Sequence, residues 1–261
     1  MLSLFSLEGQ VALITGGTNG IGLGMAKGLA DANIDQIILT YRSEKPLENT
    51  IQVLQEVNPK VKISSIEADF GGTGSEDDLV AKIATEAFKK SVSGKIDILI
   101  NNAGINNRFP FQEFPQEKFD EVLRVNLNIP VKLTKAIGCK MLETKTKGKI
   151  VFTASLCSFQ GGVDSTAYAI TKGGIKQFTA ALSNDWALKG IRVNSIAPGY
   201  ISTNLTDQIE PKRRETLISR IPIGRWGNMD DFQGPTVFLC SEASRYVTGE
   251  TLVVDGGWLG Y

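Results

Sequence analysis

Tyr168 and Lys172 put a phenol and an ammonium four residues apart. On a helix that spacing stacks them on one face, with about 6 Å between their Cβ atoms. A free tyrosine has a pKa near 10, so its phenol is a poor proton carrier at neutral pH. A neighbouring cation favours the phenolate and moves that pKa toward the working range. Ser155 lies upstream, after the apolar run 149–154, which reads as a buried strand. A hydroxyl at the carboxyl end of a strand faces the crevice where open α/β sheets bind ligands. By itself the Tyr–Lys pair fits an exposed surface pair equally well, with roughly 0.3–0.5 kcal/mol behind it. The residues around it decide.

Val11-Ala-Leu-Ile-Thr15 leads into Gly16-Gly-Thr-Asn19-Gly20-Ile21-Gly22 and then a helical pattern. Glycines at a strand-to-helix turn let backbone N–H groups approach a pyrophosphate at the positive end of the helix. The alternative is a turn that needs glycine only for packing. The second strand ends at Tyr41-Arg42, without the acidic residue that would bind the ribose hydroxyls of NAD. Arg42 instead suits a 2′-phosphate, so NADP(H) is favoured and NAD(H) is the second choice. An ordinary exposed arginine near Glu44 is the competing reading. Asp69, ahead of Phe70 at the end of the third strand, suits an adenine amino group or the cap of a turn. Asn101-Asn-Ala103-Gly104 follows the fourth strand, where small and amide residues would let a ribose lie against backbone. Asn126 falls inside a helical pattern that asparagine disfavours, because its amide competes for backbone hydrogen bonds. It is read either as a structural hydrogen bond or as a kink whose carbonyl holds a water beside Lys172.

The elements that must position these residues alternate along the whole chain. Strands are expected near 10–15, 36–41, 61–67, 96–100, 149–154, 191–197 and 250–254. Helices are expected near 20–32, 45–57, 75–92, 116–144 and 166–189, with shorter ones at 203–219 and 229–241. Seven apolar strands with long crossovers require a mostly parallel sheet with helices on both faces. The expected fold is one doubly wound α/β domain over residues 1–261. Pro198-Gly199 ends the sixth strand. Segment 199–227 is polar and weakly patterned, which marks it as a candidate substrate lid over the strand ends. Within it and near it, Asn204, Arg225 and Trp226, with Phe159 and Gln160, are candidate pocket residues. Arg225 is either a bidentate carboxylate partner or a salt bridge that orders the lid. The aromatic tail around Trp258 is expected to pack on a neighbour, here a second subunit.

Lysine plus arginine and aspartate plus glutamate each number 28, so no net field drives binding to nucleic acid or an anionic membrane. Without a single histidine, Ser-His-Asp and Cys-His catalysis and imidazole-bound zinc are excluded. Three scattered cysteines fit a reducing compartment and form no metal or disulfide pattern. No leader or membrane span is visible in the sequence, so a cytoplasmic protein is expected.

Taken together, Thr15-Gly16-x-x-x-Gly20-x-Gly22, Asn101-Asn-Ala-Gly104, Asn126, Ser155, Tyr168-x-x-x-Lys172 and Pro198-Gly199 resemble the short-chain dehydrogenase/reductase family over nearly the whole chain. The resemblance implies a seven-stranded Rossmann sheet and a catalytic tetrad of Asn126, Ser155, Tyr168 and Lys172. It also implies nucleotide contacts from Gly16, Asn19, Ile21, Asp69, Asn101, Ile201 and Thr203, and a homotetramer packed through 116–144 and 166–189. Members that use NADP often carry a basic residue where Asn19 stands, a departure that weakens the inference from Arg42. A narrower set of motifs, including Ser158-Phe-Gln-Gly-Gly162, Ile221-Pro-x-Gly-Arg-Trp-Gly227 and Val254-Asp-Gly-Gly-Trp-Leu259, is similar to the 2-deoxy-D-gluconate 3-dehydrogenase and 2-keto-3-deoxygluconate oxidoreductase group. That likeness implies a keto sugar acid as substrate. A broad NADPH-dependent carbonyl reductase is the alternative, and a catalytically silent dinucleotide-binding protein a remote one.

Overall fold

Short, buried and largely apolar strands dominate the centre of the molecule. In the computed structural model, which describes residues 3–203 and 210–260, strands β1 (Val11–Thr15), β4 (Ile98–Asn101) and β5 (Lys149–Thr153) are buried at every position. Such runs are what a parallel sheet covered on both faces demands. With β2 (Gln36–Tyr41), β3 (Lys62–Glu67), β6 (Arg192–Pro198) and β7 (Thr251–Val254) they form one sheet in the order β3-β2-β1-β4-β5-β6-β7. All six pairings are parallel, so the expected "mostly parallel" sheet is parallel throughout its described strands. The order reverses between β1 and β4. That switch point is where doubly wound sheets open a ligand crevice.

Alternate strand residues feed opposite cores, as the two-residue period of a strand requires. Leu13, Leu99, Ile150 and Val193 pack with Ile129, Leu133 and Ile175 beneath α3 (Glu76–Lys90), α5 (Ile129–Glu143) and α6 (Thr166–Trp186). Ile14, Ile37, Ile100 and Val151 face Met25, Leu29, Leu54 and Leu239 of α1 (Gly20–Asp31), α2 (Glu44–Val57) and α8 (Gln233–Cys240). α3 shows how sequence sets an element's limits. Ser75 caps it by accepting from Asp78 N, three acids fill its first turn and two lysines its last, each complementing the helix dipole.

Two expectations change. The helix expected over 116–144 is α4 (Gln116–Leu123), a π-helical turn (Arg124–Asn128) and then α5, so the run is continuous but widened around Asn126. Trp258 needs no second subunit for its burial. Trp258 is buried within its own chain in a third apolar cluster with Leu156, Ile221 and Trp226, flanked by Tyr200. Short helix α7 (Pro211–Ile218) supplies Leu217 and Ile218 to the same cluster, and Arg220 stacks 4.3 Å from the Trp258 ring. The segment lacked strong pattern because its apolar partners come from the far end of the chain. The helix expected over 203–219 is found over 211–218; residues 203, 210 and 219 are not helical, and 204–209 lie outside the described residues.

Candidate active site

The carboxyl ends of β1, β4, β5 and β6 meet at one edge, with Thr15 level with Asn101 and Thr153 level with Ile196. The Thr15 hydroxyl ties the first two together by accepting from Asn102 N and Ala103 N at 3.0 and 3.1 Å. Asn102 donates its amide to the Gly16 carbonyl at 2.9 Å and accepts from the Thr153 hydroxyl at 3.0 Å. The glycine-rich turn is thereby fixed to β4 and β5. Gly16 has φ +64°, and a Cβ there would lie 2.9 Å from Ala103 Cα; one on Gly22 would collide with the Gly16 carbonyl. Both positions exclude side chains for different reasons, one of backbone hand and one of space. Asn19 stands at the N-cap of α1 but its side chain makes no capping hydrogen bond, and the first turn holds no acid. An anion is the natural complement to such a helix start, and the bare turn fits a pyrophosphate. Ile21 follows on α1, and Thr203 rests its methyl on the Gly20 side of the turn.

The other nucleotide candidates have mixed surroundings. Arg42 follows β2, two residues after Thr40, whose hydroxyl accepts from Gly16 N at 3.2 Å. It is exposed and makes no hydrogen bond or ion pair among the described residues. Asp69 accepts from Gly71 N at 3.1 Å, so the turn-capping reading is realised. Phe70 is buried in the α3–α5 core, leaving only its backbone near the edge. Asn101 donates to the Thr134 hydroxyl at 3.0 Å while its buried Oδ1 has no partner. Pro198 ends β6, Gly199 packs against the Asp255 backbone, and Ile201 is buried where it bridges Gly227.

Ser155 lies two residues past the β5 end, and its hydroxyl accepts from Cys157 N at 3.1 Å as the cap of a short 3-10 turn. Ser158, in the same turn, donates to the Lys172 carbonyl at 2.7 Å and so locks the turn to α6. Lys172 is buried, donates to the Thr153 carbonyl at 2.6 Å and lies 5.5 Å from the centre of the Tyr168 ring. Ser155, Tyr168 and Lys172 therefore converge as expected. The Asn126 side chain makes the structural hydrogen bonds, and the π-helical turn around it supplies the kink of the other reading. Its amide exchanges hydrogen bonds with Ile105, accepting from N at 2.9 Å and donating to O at 2.8 Å, and reaches the Thr171 hydroxyl at 3.3 Å.

The expected acidification of Tyr168 by Lys172 is not met in the polypeptide's own field. Burial pushes the half-buried phenol up to about 12, opposed by a hydrogen bond from Ser155 and by the Arg108 guanidinium. Lys172 is itself brought down to about 8 by burial.

Arg108 escaped the sequence analysis. It is exposed in the loop after Gly104, without hydrogen bond or ion pair among the described residues, and its charge acts on Tyr168, Cys157 and Tyr200 alike. The signal available was a cation just past the Asn101–Gly104 turn at the ligand edge of the sheet. Arg225, nominated as a carboxylate partner, has its fork filled. It donates to both Asp231 oxygens at 2.8 and 2.7 Å, the salt-bridge alternative. Trp226 is buried beneath Arg214, which stacks 4.3 Å from its ring. Phe159 and Gln160 are exposed, with Lys176 4.9 Å from the Phe159 ring. Asn204 lies outside the described residues.

Among the described residues no group of three or more His, Cys, Asp or Glu side chains is placed to hold a metal. No described helix is long and apolar enough to cross a membrane.

Residues 16–259 match the family model described as enoyl-(acyl carrier protein) reductase. The chain is 46% identical to 2-dehydro-3-deoxy-D-gluconate 5-dehydrogenase of Pseudoalteromonas atlantica, with all of both chains covered. It is 44% identical to the Bacillus subtilis enzyme of the same name, over 98% of this chain and 96% of the relative. A crystal structure of gluconate 5-dehydrogenase from Burkholderia cenocepacia in complex with NADP and tartrate superposes with a TM-score of 0.87 at 34% identity, over 100% of this chain and 99% of that one.

Proposed function

The chain belongs to the short-chain dehydrogenase/reductase family, and from that premise we propose reversible hydride transfer between NADP(H) and a keto sugar acid of the 2-deoxygluconate or gluconate type. The observation that carries the reading is the convergence of Ser155, Tyr168 and Lys172 at the end of β5 with the unpaired Arg108 beside them. NAD(H) is the second choice of nucleotide. When bound, the nicotinamide supplies the hydride chemistry.

The chain's own residues do the rest. The turn from Gly16 to Gly22 holds the pyrophosphate by its backbone, and Arg42 meets a 2′-phosphate. Tyr168, neutral at physiological pH, gives its proton to the substrate oxygen during reduction and takes it back during oxidation. Ser155 donates to the same oxygen, where negative charge develops. Lys172 holds the nicotinamide ribose, and Asn126 fixes Ile105 while its carbonyl supports a water relay toward Lys172. Arg108 replaces Arg225 as the carboxylate partner, because a free guanidinium fork matches a carboxylate. Segment 199–227 is the lid. The molecule works in the cytoplasm as a homotetramer packed through α5 and α6, where Leu127, Val131 and Phe178 line a groove.

The test is kcat/KM with NADPH and NADH for one keto sugar acid and one aryl ketone, in the wild type and Arg108→Ala. Turnover of the acid that falls about a hundredfold in the variant, with ketone turnover unchanged, is the expected result; a free charged clamp is worth about 3 kcal/mol or less. Turnover favouring the ketone in both proteins would move the assignment to a broad carbonyl reductase.

A further inference from the structure

Two consecutive aspartates in one short turn face two different parts of the molecule. Asp230 accepts from Lys27 of α1 at 2.6 Å, while Asp231 holds both arms of Arg225. Their turn, Met229–Phe232, is itself rigid. The Asn228 side chain accepts from Asp230 N and Asp231 N at 2.9 and 3.3 Å, and Asp231 accepts from Asn228 N at 2.8 Å. It lies so close to α1 that a Cβ on Gly24 would run into the Met229 carbonyl, and one on Gly28 would sit 2.8 Å from Gln233.

On the lid side, Gly227 N donates to the Tyr200 carbonyl and Ser202 N to the Gly227 carbonyl, both at 2.9 Å. The two ends of the lid are thus paired with each other, and Arg225 lies two residues from that pairing. α1 starts at the glycine-rich turn. A continuous chain of contacts runs from that turn through α1 and Met229–Phe232 to the base of the lid.

We propose that Arg225 and Asp231 are a positioning pair that fixes the base of the lid to the helix carrying the nucleotide turn, so that nucleotide binding is felt in the lid. Arg225 acts through Asp231 and does not touch substrate. The inference rests on the reading of 199–227 as a lid and adds the element that sets its place. Exposed ion pairs usually contribute little. A two-armed fork onto a capped carboxylate has the directional geometry to transmit position.

The test is hydrogen exchange in 200–227 with and without NADPH, in wild type, Arg225→Ala, Asp231→Ala and the double variant. NADPH affinity is read in parallel by fluorescence, and KM and kcat with the keto sugar acid. In the wild type NADPH slows lid exchange by about tenfold, within the usual range of coupling between sites. Each single variant loses most of that protection, the double variant loses no more, and Asp231→Glu recovers part of it. NADPH affinity stays within about twofold, and KM rises more than kcat falls. Protection that survives in both single variants overturns the proposal, as does a wild-type lid indifferent to NADPH. A KM defect in Arg225→Ala that Asp231→Ala lacks would also overturn it and return Arg225 to the substrate. Exchange needs no substrate, so an error in the assigned substrate class leaves this outcome readable.

Discussion

Replacing Lys172 by methionine removes a cation from the interior, and the structure gives the size of the effect. Burial brings the lysine pKa from 10.5 to about 8. At roughly 1.4 kcal/mol per pH unit, holding the charge inside costs about 3 kcal/mol relative to the unfolded chain. The native state binds fewer protons than the unfolded state between pH 8 and 10.5, so wild-type stability rises with pH across that window. Above 10.5 the lysine is neutral in both states and the cost is gone; below 8 it is fully present. Methionine carries no such dependence. It also gives up the hydrogen bond to the Thr153 carbonyl, a loss of about 1–3 kcal/mol that is the same at every pH. The absolute stability change at pH 7 is therefore small. The difference between variant and wild type, measured by thermal unfolding at pH 7 and pH 10.5, shifts in favour of wild type by about 3 kcal/mol. For a chain of this size that is roughly 6–12 °C in Tm. A difference that does not move with pH would mean that the Lys172 charge is as well solvated in the native state as in the unfolded chain. The burial argument would then be wrong.

Removing the phenol in Tyr168→Phe is expected to lower kcat by at least about a hundredfold, with NADPH affinity by fluorescence titration near normal. Full activity in that variant would place the proton path elsewhere. Arg42→Ala is expected to lower the NADPH over NADH preference in kcat/KM by about tenfold or more, leaving turnover with NADH intact. An unchanged preference would reduce Arg42 to the ordinary exposed arginine that its setting also allows.

The sheet was legible because strands covered on both faces are apolar over most of their length, and Val11–Thr15 and Lys149–Thr153 are flanked by turn signals. Ser155, Tyr168 and Lys172 were legible because one strand end and one helix bring them together by local spacing alone. Asn126 was half legible. An asparagine in a helix announces a break in the hydrogen-bond ladder, but only tertiary structure shows Ile105 as its partner. Arg108 went unread and the two readings of Arg225 stayed open, since which guanidinium is free depends on whether a carboxylate six residues along folds back to meet it. The Tyr168 pKa failed for a similar reason. Spacing gives the distance to a cation but not the burial of the phenol itself, which pushes its pKa up.

The third apolar cluster has a consequence for how the protein is made. Trp226 and Tyr200 leave the ribosome well before Trp258, whose ring lies 4.8 Å from that of Tyr200 and completes their burial. Domains generally fold as units, and synthesis delivers this one from its N-terminal side. The glycine-rich turn and the Tyr168 helix have all their partners in chain already emerged, while the lid does not. A nascent chain halted shortly before Trp258 would carry its chemistry under an unfinished roof, with two aromatic rings open to any chaperone that binds exposed apolar surface.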